Sequence, residues 1–255
     1  MGNFWPIVNR VIAQADILLL VLDVRYVDQT RHVEVEQKVQ KSNKPLIFVL
    51  TKVDLVDMEV AQRFKKILKP CVFISATKHL GLTRLRERIL IEASRLKKEQ
   101  VTVGVLGYPN VGKSSLINAL KGQRSASTSA VSGHTKGVQK VKADNRIMLL
   151  DSPGVLPYEE KNTLKHSLIG AIGPHQVKDP VHVVLQLIEQ YKDIASHYNI
   201  DQTDSQEILE AIAVQFNYKL KGNAPDTVRA SRRILMDIQK GAIHMQHTPS
   251  NQEET

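Results

Sequence analysis

Apolar residues recur in two patterns along this chain, and their alternation predicts its fold. Phe4, Ile7, Val8, Val11, Ile12 and Ala15 are spaced as one face of a helix over residues 4–15. Short aliphatic runs predict buried strands at 17–24, 45–50, 71–74 and 101–106. Amphipathic helices fall between them: one capped by Thr30 and running to about Lys41, one over 58–68 capped by Asp57, and one over 82–98. Residues 138–141 and 146–150 read as a hairpin turned at Asp144-Asn145. Strands that alternate with helices predict an α/β domain with a mostly parallel, six-stranded sheet covered on both faces.

The pattern changes after about Tyr158. Strand signals stop, and helical spacing continues over 162–171, 180–198, 205–216 and 225–240. The expected division is an α/β domain over 1–160, a small all-α domain over 161–243, and a polar, disordered tail over 244–255.

Composition narrows the class. Hydrophobic residues make up 42% of the 255 positions, enough for a substantial core. The single cysteine, Cys71, excludes an intrachain disulfide and suits a reducing compartment, so a cytoplasmic monomer is expected. The longest apolar run contains Asp23 and is too short to span a bilayer, so no membrane partner is expected. The first residues lack the basic and apolar regions of a signal peptide. Pro6 stands where a myristoylation site needs Ser or Thr. A formal net charge of +9 points to a polyanion such as RNA, although a merely basic soluble protein has the same balance.

Residues 107–115, Gly-Tyr-Pro-Asn-Val-Gly-Lys-Ser-Ser, fit G-x-x-x-x-G-K-[ST] and lie between a predicted strand and a predicted helix. Glycine lets the backbone wrap a phosphate, so that the N–H groups of Asn110, Val111, Gly112, Lys113, Ser114 and Ser115 can face the anion. Lys113 brings a point charge to the β- and γ-phosphates, and Ser114 a hydroxyl to Mg²⁺.

Three shorter motifs also follow strands. Thr51-Lys52-Val53-Asp54 has the form [NT]-K-x-D. The carboxylate of Asp54 can accept from the ring N–H and amino group of guanine, donors that adenine lacks, and the stem of Lys52 can lie over the base. Ser75-Ala76-Thr77 has the form of the loop whose backbone meets the guanine oxygen. Asp151-Ser152-Pro153-Gly154 has the form D-x-x-G, with Asp151 directed at Mg²⁺ and the Gly154 N–H at the γ-phosphate. Thr135 is the candidate switch threonine for Mg²⁺, with Thr128 its rival. Each tetrapeptide alone also reads as an ordinary polar turn. Jointly they place nucleotide-binding loops at the carboxyl ends of adjacent strands, as a GTP or GDP site in an open α/β sheet requires.

Their order is unusual. The guanine-reading loop and the Ser75 loop precede the phosphate loop, which precedes Thr135 and Asp151. This is a circular permutation. It is permitted because loops gathered at one sheet edge keep their contacts when the old termini are joined and the chain is cut elsewhere.

With this order the chain closely resembles the circularly permuted ribosome-assembly GTPases of the YlqF/RbgA type. Asp23-Val-Arg25 resembles their D-A-R segment, residues 149–155 their L-D-T-P-G-[IV], 167–172 their V-T-G-A-I, and 225–235 their last helix. The resemblance implies a slow GTPase with Lys113, Thr135 and Gly154 as catalytic groups. Its implied role is in assembly of the large ribosomal subunit, through a helical domain that contacts rRNA. Val155 stands where many GTPases carry a water-orienting glutamine. Asn110 matches an asparagine that binds K⁺ in some GTPases of this kind; a loop-shaping role is the alternative. The family's F-P-G-H-M segment is missing, and His134 is only a speculative substitute for its histidine. Arg229, Arg232, Arg233 and Lys240 fall near one face of the last helix and are candidate rRNA phosphate contacts, or else a solvated face. Two other functions stay open at this point: an RNA-binding scaffold that needs nucleotide but not hydrolysis, and a K⁺-dependent GTPase of tRNA modification.

Overall fold

A computed structural model describes residues 4–122, 138–152 and 162–245. The chain divides into two compact units, Met1–Lys161 with Ile169–Ala171, and Asn162–Leu168 with Ile172–Thr255.

The first unit runs α1 (Phe4–Gln14), β1 (Ile17–Asp23), α2 (Val27–Thr30), α3 (Val33–Lys41), β2 (Leu46–Thr51), α4 (Met58–Ile67), β3 (Cys71–Phe73), α5 (Leu82–Arg95), β4 (Val101–Leu106), α6 (Lys113–Lys121), β5 (Gln139–Lys142) and β6 (Ile147–Asp151). The strands form one six-stranded sheet in the order β3–β2–β1–β4–β6–β5. All neighbours are parallel except β5 and β6, which pair as the expected hairpin. Asp144 holds its turn by accepting from the N–H groups of Arg146 and Ile147.

Every residue of β1 is buried, as a central strand covered on both faces demands. Leu18, Leu20 and Leu22 join Val8, Val11, Val35, Val39 and Ala61 in one apolar cluster, so α1 to α4 cover that face. The alternate residues point to the other face. There α5 packs on β1 and α6, and α6 on β6. Burying one such aliphatic side chain contributes about 1.5–3 kcal/mol. Helix α1 approaches β4 so closely that a Cβ at Gly104 would stand 2.6 Å from Val11 Cγ1. The carbonyls of Ile12, Ala13 and Ala15 at the end of α1 accept from Lys44 Nζ at 2.6, 3.0 and 2.6 Å.

Two expected helix caps are corrected. Thr30 does not cap α3; His32 does, with Nδ1 accepting from Val35 N at 3.4 Å. The hydroxyl of Thr30 is buried instead, accepting from Asp23 N at 3.2 Å and donating to Tyr26 O at 2.7 Å. It satisfies the backbone donor of the last residue of the buried strand β1, where water is excluded. Asp57 occupies the N-cap position of α4 without a side-chain cap bond.

The second unit contains α7 (Thr163–Leu168), α8 (Pro180–Gln190), α9 (Asp193–His197), α10 (Ser205–Gln215) and α11 (Thr227–Lys240). Asp179, Asp204 and Asp226 each cap the helix that follows through a carboxylate oxygen. Val184, Leu187, Leu209, Ile212, Ile234, Leu235 and Ile238 are fully buried and form the interior. The helix expected over 162–171 stops at Leu168. The helix expected over 180–198 is broken at Tyr191, whose backbone is extended. The break turns α9 so that Tyr198 OH reaches the buried Asp237 Oδ2 at 2.9 Å.

Candidate functional site

The phosphate loop leaves β4 at Gly107 and enters α6 at Lys113. At Gly107 (φ +151°) an added Cβ would stand 2.5 Å from Val21 O, so only glycine fits. Gly112 turns into α6 at φ +100°. Lys113 is almost wholly buried, and its Nζ donates to Gly107 O at 2.8 Å and Tyr108 O at 2.5 Å. Burial pushes its pKa down to about 8, against the opposing field of Asp151.

Asp151 ends β6 in register with Val105 of β4, which sets its carboxylate near the loop. Ser152 fixes this edge by donating to Val105 O at 2.6 Å. Ser114 is exposed on the first turn of α6. A hydroxyl and a carboxylate are hard oxygen donors, which suit Mg²⁺. Among the described residues no group of three or more His, Cys, Asp or Glu could hold a metal.

The candidate guanine-reading residues, Thr51 to Asp54, lie at and just past the end of β2. Thr51 is buried, and its Oγ1 donates to Val111 O in the phosphate loop and lies 3.0 Å from Leu22 O. Lys52 takes a left-handed backbone at φ 60°, and its Nζ sits 2.7 Å from Asp23 Oδ2. Val53 is buried and its N–H donates to Ile74 O at 3.3 Å. Asp54 is exposed, and its Oδ2 accepts from Thr77 Oγ1 at 3.2 Å.

Thr77 lies 3.1 Å from Ser75 Oγ, which also accepts from Lys78 N. Ser75 is fully buried beside the half-buried Ala76. Reciprocal backbone bonds between Ser75 and Leu80 close this loop. Gly81 follows at φ +76°, where a Cβ would stand 2.0 Å from Phe73 O.

The first unit therefore gathers Thr51 with the phosphate loop, Asp151 with Lys113, and Asp54 with the Ser75 loop. Asn110 has a left-handed backbone at φ 59°, and its amide nitrogen donates to Gly170 O. A cation would be met by its amide oxygen. Thr128, His134, Thr135, Gly154 and Val155 lie outside the described residues. Three residues given no side-chain role from sequence also shape the site: Thr77, the last residue of its motif, and Asp23 with Arg25, legible only as part of a resemblance.

The candidate RNA contacts belong to the second unit and differ among themselves. Arg229 and Lys240 are exposed, while Arg232 and Arg233 are half-buried. The Arg229 guanidinium lies 4.3 Å from the ring centre of Tyr218, and that of Arg233 4.8 Å from Phe216. Arg233 Nε also donates to Asp237 Oδ2 at 2.6 Å.

Comparison with known proteins agrees with this architecture. A family model described as a 50S ribosome-binding GTPase matches residues 102–218. The match begins within β4, the strand that leads into the phosphate loop. A GTP-binding protein of Methanocaldococcus jannaschii, MJ1464, is 37% identical over 93% of this chain and 65% of its own length. Nucleolar GTP-binding protein 2 of Saccharomyces cerevisiae is 33% identical over 94% of this chain and 52% of its own. The chain thus spans about half to two thirds of these two relatives. The crystal structure of GNP-bound YlqF from T. maritima superposes with a TM-score of 0.69 at 23% identity, covering 96% of this chain and 97% of that one.

Proposed function

We propose that this chain, a circularly permuted P-loop GTPase akin to YlqF in fold and to nucleolar GTP-binding protein 2 in sequence, is a GTP-hydrolysing switch in large ribosomal subunit assembly. One observation carries the reading. The carboxyl ends of β2, β3, β4 and β6 lie along one edge of the sheet, and Thr51 at the end of β2 bonds to Val111 in the loop after β4.

In this reading Asp54 accepts from guanine, with the Ser75–Thr77 loop alongside it. The phosphate-loop amides and Lys113 hold the phosphates. Ser114, Asp151 and Thr135 would hold Mg²⁺, which would supply Lewis-acid stabilisation of charge on the phosphates. Gly154 would sense the γ-phosphate. Val155 has no hydrogen-bonding group to orient water, so turnover is slow until a partner completes the site. Asn110 would contribute to a K⁺ site that neutralises transition-state charge.

The partner is large-subunit rRNA, met by the basic residues of α11 in a cytoplasmic monomer. The net charge of +9 supports a polyanionic partner. Among the described residues no helix is long and apolar enough to cross a membrane.

Gradient sedimentation with ribosomal subunits tests the reading. The protein should co-migrate with large subunits when a non-hydrolysable GTP analogue is present and be released with GDP. GTP turnover should rise severalfold on adding large subunits. Unchanged turnover together with no co-sedimentation would refute the assembly role.

A further inference from the structure

The carboxylate of Asp23 is completely buried at the end of β1, yet nothing in the mechanism above uses it. It is surrounded by cations. Oδ1 accepts from Arg25 N at 3.1 Å and Arg25 Nε at 3.0 Å. Oδ2 accepts from Arg25 Nη2 at 2.7 Å and lies 2.7 Å from Lys52 Nζ.

The sheet brings these groups together. Parallel pairing sets Asp23 opposite Thr51, so the next residue of the β2 chain is Lys52. Lys52 leaves the strand in a left-handed conformation, one that a non-glycine residue adopts at an energetic cost. Two cations held near one buried carboxylate leave an excess positive charge. Asp54 supplies a second carboxylate, and its field reaches Arg25. Two acids and two bases thus balance across the base-reading loop.

We propose that Asp23 is a positioning residue for guanine selectivity: it pins the ammonium of Lys52 and the guanidinium of Arg25, which fixes the Lys52 stem and turns Asp54 toward the base. The inference rests on Thr51–Asp54 being the guanine-reading loop. A charge-assisted, buried anchor limits the sway of a long side chain that would otherwise sample many rotamers. The phosphate loop lies outside this cluster, so phosphate binding and base selection respond separately to its loss.

The test compares GDP with ADP by calorimetric titration of the full chain. In Asp23→Asn, GDP affinity should fall about tenfold or more while the weak ADP affinity stays within about twofold, so that the selectivity ratio collapses. In a Lys52→Met background the same change should lower GDP affinity by a clearly smaller factor than in the parent, because only the Arg25 half of the anchor is left to lose.

If Asp23→Asn does not fold, Lys52→Met alone decides. It retains an apolar stem and leaves the Asp23–Arg25 pair intact, so it should fold and still lose selectivity. A folded Asp23→Asn with parental selectivity overturns the inference, as does a Lys52→Met protein that keeps it. Equal losses for GDP and ADP mean a merely structural role and overturn it too. If the parent protein does not prefer GDP to ADP, the guanine-reading assignment itself has failed, which is a distinguishable result.

Discussion

The hydroxyl of Thr51 donates to the backbone carbonyl of Val111, 60 residues further along the chain. One side chain thereby joins the end of β2, where the proposed base-reading loop begins, to the phosphate loop. Replacing it with valine keeps the shape and leaves a buried carbonyl short of a donor. Thr51→Val should cost about 1–2 kcal/mol in urea unfolding and weaken GDP severalfold, while Thr51→Ser stays near the parent.

Lys113 is buried against the carbonyls of Gly107 and Tyr108, with a pKa near 8 where the unfolded chain has 10.5. Below pH 8 the folded protein bears the cost of a desolvated ammonium. That cost is relieved as pH rises from about 8 to 10.5, because there the unfolded state binds the extra proton. Lys113→Met should therefore bind no measurable nucleotide yet unfold at a higher temperature at pH 7. Melting curves should show that advantage shrinking by pH 10.

Asp54 can distinguish guanine only by accepting hydrogen bonds. Asp54→Asn keeps an oxygen for the ring N–H but sets an amide N–H against the guanine amino group, whereas the same N–H can donate to the second carbonyl of xanthine. Titration should show GDP affinity reduced about a hundredfold or more and xanthosine diphosphate becoming the preferred ligand. Thr77→Val, which removes the hydroxyl donating to Asp54, should weaken GDP only a few fold.

The basic residues of α11 should separate by role. Asp237 accepts from both Tyr198 OH and Arg233 Nε, and burial beside that carboxylate pushes the Tyr198 pKa up. Asp237→Asn should cost about 2–3 kcal/mol in chemical unfolding. Lys240 is exposed, so Lys240→Ala should leave stability unchanged. In filter binding to large-subunit rRNA it should lower the slope of log affinity against log salt by somewhat less than one.

The hairpin at Asp144, the buried β1 and the phosphate loop were legible because each is local. A turn residue, an aliphatic run and a glycine-lysine spacing carry their physics within a few residues. Thr30 was misread for the opposite reason. Its local context is that of a cap, but its hydroxyl is taken by the N–H of Asp23, seven residues earlier. The break at Tyr191 has no proline or glycine to announce it; a distant partner, Asp237, gains from it.

By itself the sequence determined the element types, the permuted order of the nucleotide-binding motifs and the side chains proposed to read guanine and phosphate. Those depend on short-range periodicity and on functional groups that keep their chemistry wherever the chain takes them. Only the tertiary structure decided that Thr51 braces the phosphate loop, that Thr77 holds Asp54, and that buried Asp23 anchors Lys52. Such pairings arise where parallel strands bring distant residues side by side, and burial makes each unmet polar group costly enough to fix its partner.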